Sequence, residues 1–190
     1  LSPAPVFRER LVGPLDDNWV KRISESLSTR ERPFIPSEMQ VEAVKAFVSR
    51  RLIALTGAAG TGKTATVKMI LKICEERSLG VALAAPTGKA AKRLDEMVYA
   101  ANILSRPPAV TIHKLLGYQG DKWMYNETNK LSYDVLILDE MSMTDITLMS
   151  RLLDAIRDST VVVLVGDHNQ LPPVGHGEIF RDVIDMPADA

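Results

Sequence analysis

The sequence predicts an α/β protein built on a parallel sheet with helices on both faces, and three observations carry that expectation. Four short apolar runs, Leu52 to Thr56, Val81 to Ala85, Val135 to Leu138 and Val161 to Val165, lack the in-out alternation of half-solvated strands, as strands buried on both faces do. Three of these runs are followed by stretches with apolar residues at helical spacing. Each run also ends in a polar or glycine-rich segment, the arrangement expected where ligands bind beyond the carboxyl ends of parallel strands.

Length and composition are consistent with this reading. The 190 residues suit one compact domain with room for an appended segment, and 46% hydrophobic with 25% charged residues is a globular balance that excludes disorder and fibrous repeats. Lys and Arg number 23 against 24 Asp and Glu, a formal charge of -1, so any nucleic-acid partner must be read by a local site rather than by bulk charge. Cys74 is the only cysteine, which excludes an internal disulfide and a multi-cysteine zinc site and suits the cytoplasm. No run approaches the roughly 18 apolar residues of a membrane span, and no signal peptide opens the chain. The first residue is Leu1, not Met, which suits a piece of something longer.

Taken in order, residues 1-36 read as a proline-rich linker holding one docked helix, whose Trp19, Val20, Ile23 and Leu27 recur at helical spacing. Residues 37-190 read as the main domain. Ser37 followed three residues later by Gln40 is a capping-box signature, and Val41, Val44, Phe47 and Val48 give a helix from about Glu38 to Arg50 its buried stripe. After the first strand comes a helix with Val67, Ile70, Leu71 and Cys74 on one face. After the second comes one with Ala90, Ala91, Leu94 and Val98, and after the third one with Met149, Leu152, Leu153 and Ile156. Residues 117 to 133, with Gly117, Gly120, Asn126 and Asn129, break the rhythm as an inserted hairpin in which Trp123 and Tyr125 share a strand face, suited to a cross-strand aromatic pair or to stacking a base.

The turn after the first strand, Gly57-Ala58-Ala59-Gly60-Thr61-Gly62-Lys63-Thr64, fits G-x-x-x-x-G-K-[ST] in its required strand-turn-helix setting, with Ala65 next to it as a further nucleotide-binding position. Small residues let backbone N-H groups wrap a phosphate at a helix N-terminus, Lys63 offers a charge to the β/γ-phosphates, and the Thr64 hydroxyl can hold Mg2+. The third strand ends in Asp139, placed to hold Mg2+, and Glu140, placed to accept a proton from an attacking water. After the second strand comes Pro86-Thr87-Gly88-Lys89-Ala90-Ala91. After the fourth comes Gly166-Asp167-His168-Asn169-Gln170-Leu171-Pro172-Pro173. One functional edge therefore carries all four segments. The three histidines show no metal-ligand spacing.

The ordered set GAAGTGKT, APTGKAAKRL, TIHKLLG, DVLILDEMSM and LVGDHNQLPPVG resembles the first motor domain of RecD/TraA-like superfamily-I DNA helicases, the exodeoxyribonuclease V alpha-subunit-like branch, over about residues 37 to 185. The resemblance implies a RecA-like α/β fold, MgATP as fuel, single-stranded DNA as track and 5′-to-3′ translocation, with repair, recombination and conjugative transfer all open as the process served. It also implies as partners a second motor domain and other repair or recombination subunits. On matching positions it implies that Lys63 and Thr64 bind phosphate and metal, Asp139 metal, and Glu140 the water. Gln170 would sense the γ-phosphate and Gln40 would read the adenine edge, while Thr87, Lys89, Thr111 and His113 would line the DNA path. The later motifs and transition-state arginines of the family do not occur in these 190 residues, so weak turnover by the chain alone is expected. Competing readings are an RNA-directed relative, a small-molecule P-loop kinase, which Asp139, Glu140 and Gln170 disfavour, and a non-catalytic nucleotide-gated adaptor.

Overall fold

A computed structural model describes residues 15, 18–29, 31–58, 60–99 and 108–167. The first helix, α1 (Trp19–Leu27), buries Trp19 and Ile23, and α2 (Glu38–Ser49) buries Val44 and Phe47. The start of α2 is the capping box expected from sequence: Ser37 Oγ accepts the Gln40 N-H at 3.4 Å and Gln40 Oε1 accepts the Ser37 N-H at 2.9 Å. Its end falls one residue short of the expected Arg50, which serves as the C-cap.

Strand β1 (Leu52–Thr56) leads into α3 (Lys63–Glu76), β2 (Val81–Ala85) into α4 (Gly88–Tyr99), and the two-residue β3 (Val110–Thr111) into the short α5 (Ile112–Leu115). A hairpin of β4 (Tyr118–Gln119) and β5 (Lys122–Trp123) follows, then β6 (Val135–Leu138), a 3-10 turn at Met141–Met143, α6 (Ile146–Ala155) and β7 (Val161–Gly166). The five-stranded sheet has the order β1-β7-β6-β2-β3, and every neighbouring pair is parallel. Chain order and sheet order differ because each parallel connection must cross over a face of the sheet.

Alternation along the strands divides the interior into two cores. Ile53, Leu55, Leu83, Val135, Ile137, Val161, Val163 and Val165 face one cluster with α1, α2, α3 and the Leu94 and Val98 side of α4. Ala82, Ala84, Leu136, Leu138, Val162 and Leu164 face the other, with Ile112, Leu115, Leu148, Met149 and Leu152. The parallel sheet covered on both faces is thus present, and its inner strands β2, β6 and β7 are apolar throughout because both sides are buried. Helix α3 is buried over most of its circumference, at Val67, Met69, Ile70, Leu71, Ile73 and Cys74, because it shares one core with the sheet and packs against both α1 and α2.

Three details differ from expectation. The fifth strand, β3, has no counterpart in the sequence pattern: two residues leave no periodic signal, and its place is set by pairing with Ala84 and Ala85 of β2. In α6 the inner face is Leu148, Met149, Leu152 and Ala155; Leu153 is 55% exposed, and Ile156 lies past the helix end. In the hairpin, Tyr125 follows β5 instead of sharing its face, and Trp123 pairs across the strands with Tyr118, ring centroids 4.5 Å apart. The cross-strand aromatic pair exists, with a different partner. Among the described residues no helix is long and apolar enough to cross a membrane.

Candidate functional site

Because the sheet is parallel, the carboxyl ends of its strands share one edge. At the end of β1 the chain enters a loop in which Gly57, Gly60 and Gly62 have φ of +146°, +85° and +92°, values that L side chains rarely adopt. Space reinforces the requirement at two of them. A Cβ on Gly62 would lie 2.4 Å from Gln40 Nε2, and one on Gly57 2.7 Å from Thr61 Oγ1. Thr61 Oγ1 donates to the Ala58 carbonyl at 2.9 Å, and Lys63 Nζ donates to the carbonyls of Gly57 and, at 3.0 Å, Ala58. Lys63, Thr64 and Ala65 form the first turn of α3, whose leading N-H groups have no partner within the helix. Thr66 is instead tied back to the Gly62 carbonyl through its own N-H at 3.1 Å. Gln40 reaches the loop from α2, its Nε2 donating to that same Gly62 carbonyl at 3.3 Å.

Strand β6 brings the two acids to this loop. Asp139 continues the ladder by donating its N-H to the Ala84 carbonyl at 3.0 Å, and its Oδ1 accepts the Glu140 N-H at 2.9 Å. Glu140 itself has φ +55°, a left-handed conformation that costs a non-glycine residue on the order of 1 kcal/mol. This turn ends the strand abruptly and starts the 3-10 turn. Burial pushes the Asp139 carboxyl above the usual carboxylate range. The Glu140 N-H bond opposes that shift, the Glu140 charge adds to it, and Arg93 and Lys63 oppose it.

Gly60, Thr61, Gly62, Lys63 and Thr64 line one cavity together with Asp139, Glu140, Asp167 and, from α4, Arg93 and Met97. The sequence-derived phosphate and acidic segments thus converge. A loop of glycines opening a helix suits a polyphosphate, and the Thr64 hydroxyl with the half-buried Asp139 carboxylate supplies the hard oxygen donors that Mg2+ prefers. A divalent cation would also offset the burial cost that raises the Asp139 carboxyl. The group fits the residues present.

Arg93 was not anticipated. Its Nη1 lies 3.5 Å from Glu140 Oε1, and the Glu140 side chain is only 21% exposed. The signal was present in APTGKAAKRL, one helical turn after Lys89, but only the packing of α4 beside β2 shows that this face turns toward Glu140.

The residues expected along a DNA path lie elsewhere on the same edge, at the ends of β2 and β3. Thr87 Oγ1 accepts the Ala90 N-H at 3.2 Å at the start of α4, and Thr111 Oγ1 accepts the Lys114 N-H at 3.1 Å at the start of α5. Both therefore have a capping role of their own. Lys89 and His113 are exposed. The His113 ring packs 5.5 Å from the rings of both Tyr118 and Trp123. None of the four lines the cavity just described. Ala59, His168 and Gln170 lie outside the described residues.

Fold and cavity together define a RecA-like P-loop α/β nucleotide-binding domain. A family model described as an AAA domain matches residues 40–176, and the chain belongs to that family. It is 40% identical over 167 residues to the RecBCD enzyme subunit RecD of Mycolicibacterium smegmatis, a match covering 78% of this chain and 30% of the relative. It is 43% identical over 141 residues to the ATP-dependent RecD2 DNA helicase of Deinococcus radiodurans, covering 74% of this chain and 19% of the relative. Among solved structures it resembles the Pif1 helicase of Candida albicans with a TM-score of 0.56 and 28% identity, over 74% of this chain and 34% of that one. The chain therefore spans less than a third of the length of these two curated relatives.

Proposed function

We propose that this chain is the ATP-binding first motor domain, residues 37-190, of a DNA helicase that couples ATP hydrolysis to 5′-to-3′ translocation on single-stranded DNA. The observation that carries this reading is the convergence of the glycine loop after β1 with Asp139 and Glu140 after β6 in one cavity, in a chain whose relatives include a protein named as a DNA helicase. In this reading the loop from Gly57 to Gly62 and the first turn at Lys63, Thr64 and Ala65 hold the phosphates, with Lys63 countering their charge. Thr64 and Asp139 hold Mg2+, which supplies neutralisation of the charge developing on the transferred phosphoryl. Glu140 orients the attacking water and accepts its proton, Gln170 reads the γ-phosphate, and Gln40 reads the adenine edge. Thr87, Lys89, Thr111 and His113 contribute to a track for the strand's phosphates.

The transition-state arginines belong, in this reading, to a second motor domain of the parent protein, and other repair or recombination subunits complete the assembly, as the name of the RecBCD relative suggests. An arginine finger contributes roughly 10³ to 10⁵-fold in rate in well-studied NTPases, so this chain alone should turn over slowly and respond little to DNA. The test compares hydrolysis by this chain with that of a form carrying the second domain, each with and without single-stranded DNA. DNA-stimulated turnover appearing only in the longer form, and lost in Glu140→Gln, supports the proposal. Robust DNA-stimulated turnover by the 190-residue chain refutes the division of labour, and stimulation by RNA alone refutes the choice of track.

A further inference from the structure

We propose that Arg93 is the positioning residue for Glu140, holding the water-activating carboxylate against helix α4; this rests on the reading of Glu140 given above. Glu140 sits two residues beyond the end of a buried strand, in a left-handed backbone conformation that turns the chain away from the strand direction. Its backbone fixes where the side chain begins and leaves the carboxylate to be aimed by whatever it meets. Its N-H is used on Asp139 Oδ1, and Oε1 faces Arg93 Nη1 at 3.5 Å.

The support for Arg93 comes from a different element. Lys89, Arg93 and Met97 follow one another at intervals of four along α4, so they form one row on that helix. Arg93 and Met97 both line the cavity, whereas Leu94 and Val98, the next positions round, are buried in the core and hold the helix in place. The row is thus fixed at its base and free at its tip, with the Arg93 side chain 77% exposed. An exposed pair of this kind adds little to folding stability. Its consequence lies in aim: a misplacement of about 1 Å at a reacting group can lower a rate on the order of 100-fold. The contact is a single approach of Nη1 to Oε1, and arginine offers a planar array of N-H donors for it that a lysine ammonium lacks.

The test is single-turnover hydrolysis, with this chain in excess over labelled ATP and Mg2+, alongside MgADP affinity and melting temperature. Arg93→Ala should hydrolyse at least tenfold more slowly while MgADP affinity stays within twofold and melting is unchanged. Arg93→Lys should recover part of the loss. In a Glu140→Gln background, Arg93→Ala should cause no further slowing, since Arg93 acts through that carboxylate. A rate within twofold of the parent in Arg93→Ala overturns the proposal. So does an equal further loss in the Glu140→Gln background, or a tenfold fall in MgADP affinity, either of which makes Arg93 a direct nucleotide contact. If Glu140→Gln itself hydrolyses like the parent, the reading of the site fails, an outcome distinct from a slow Glu140→Gln with a parent-like Arg93→Ala.

Discussion

The side-chain amide nitrogen of Gln40 donates to the carbonyl of Gly62 at 3.3 Å, while the Gln40 oxygen accepts the Ser37 N-H at 2.9 Å. One side chain thereby joins the start of α2 to the last residue of the glycine loop, 22 positions away in the chain. The cap occupies one acceptor site on its oxygen and the Gly62 carbonyl one of its two N-H groups, so the adenine role proposed above would fall to the second N-H and the remaining lone pair.

Ser37→Ala and Gln40→Ala separate these uses. Ser37→Ala removes the cap alone and should cost about 1 kcal/mol of stability. Gln40→Ala should cost a similar amount and, in addition, erase preference for ATP over GTP. Denaturant melts and competition binding of the two nucleotides check this. Loss of preference in both variants would make the effect one of helix stability.

Gly62→Ala should destabilise the fold by more than 1 kcal/mol, since an L residue pays for φ +92° and its Cβ would stand 2.4 Å from Gln40 Nε2. Part of that cost is steric and local to one pair. In a double-mutant cycle with Gln40→Ala the two losses should sum to more than the measured double loss, by about 0.5 kcal/mol or more. Additive losses would show that the backbone conformation alone sets the requirement for glycine.

Cys74 should be inert in the folded protein. It is buried on the inner face of α3, and burial, with the nearby Asp134 charge, pushes its thiol far above the ordinary range, so the reactive thiolate is suppressed. The neutral form persists across the physiological range, so the folded state itself should contribute almost no labelling between pH 7 and 9. Labelling by a thiol reagent should instead accelerate with denaturant, in step with unfolding.

Lys89→Ala should weaken single-strand binding by a form holding both motor domains about equally for all sequences, and reduce the salt slope by roughly one ion. Nucleotide affinity should survive, because Lys89 is exposed at the start of α4 and does not line the nucleotide cavity. Affinity measured across a salt series checks it. An unchanged slope would leave Lys89 as part of a helix start.

Much of this was legible because the relevant signals are local. The β1 turn announces itself through glycine spacing, and Asp139 and Glu140 through their place after an uninterrupted apolar run. The two buried faces follow from β2, β6 and β7, whose apolar runs are buried at nearly every position. What escaped is what only packing supplies. Strand β3 is two residues long and exists through its pairing with Ala84 and Ala85. Tyr118 meets Trp123 because Gly120 and Asp121 set the hairpin register, and Arg93 meets Glu140 because α4 lies over β2. Leu153 was misplaced because a hydrophobic residue beside a buried stripe satisfies the period without being covered.

The most direct test of the nucleotide site is the thermal shift produced by MgADP in the parent chain and in Lys63→Ala. Binding to the folded state alone stabilises by about 2.7 kcal/mol at a ligand concentration 100 times the dissociation constant. The parent should therefore melt several degrees higher with MgADP, and Lys63→Ala, which loses the ammonium spanning the glycine loop, should show little or no shift at the same concentration. No shift in the parent, or an equal shift in Lys63→Ala, would contradict the assignment of this cavity to nucleotide.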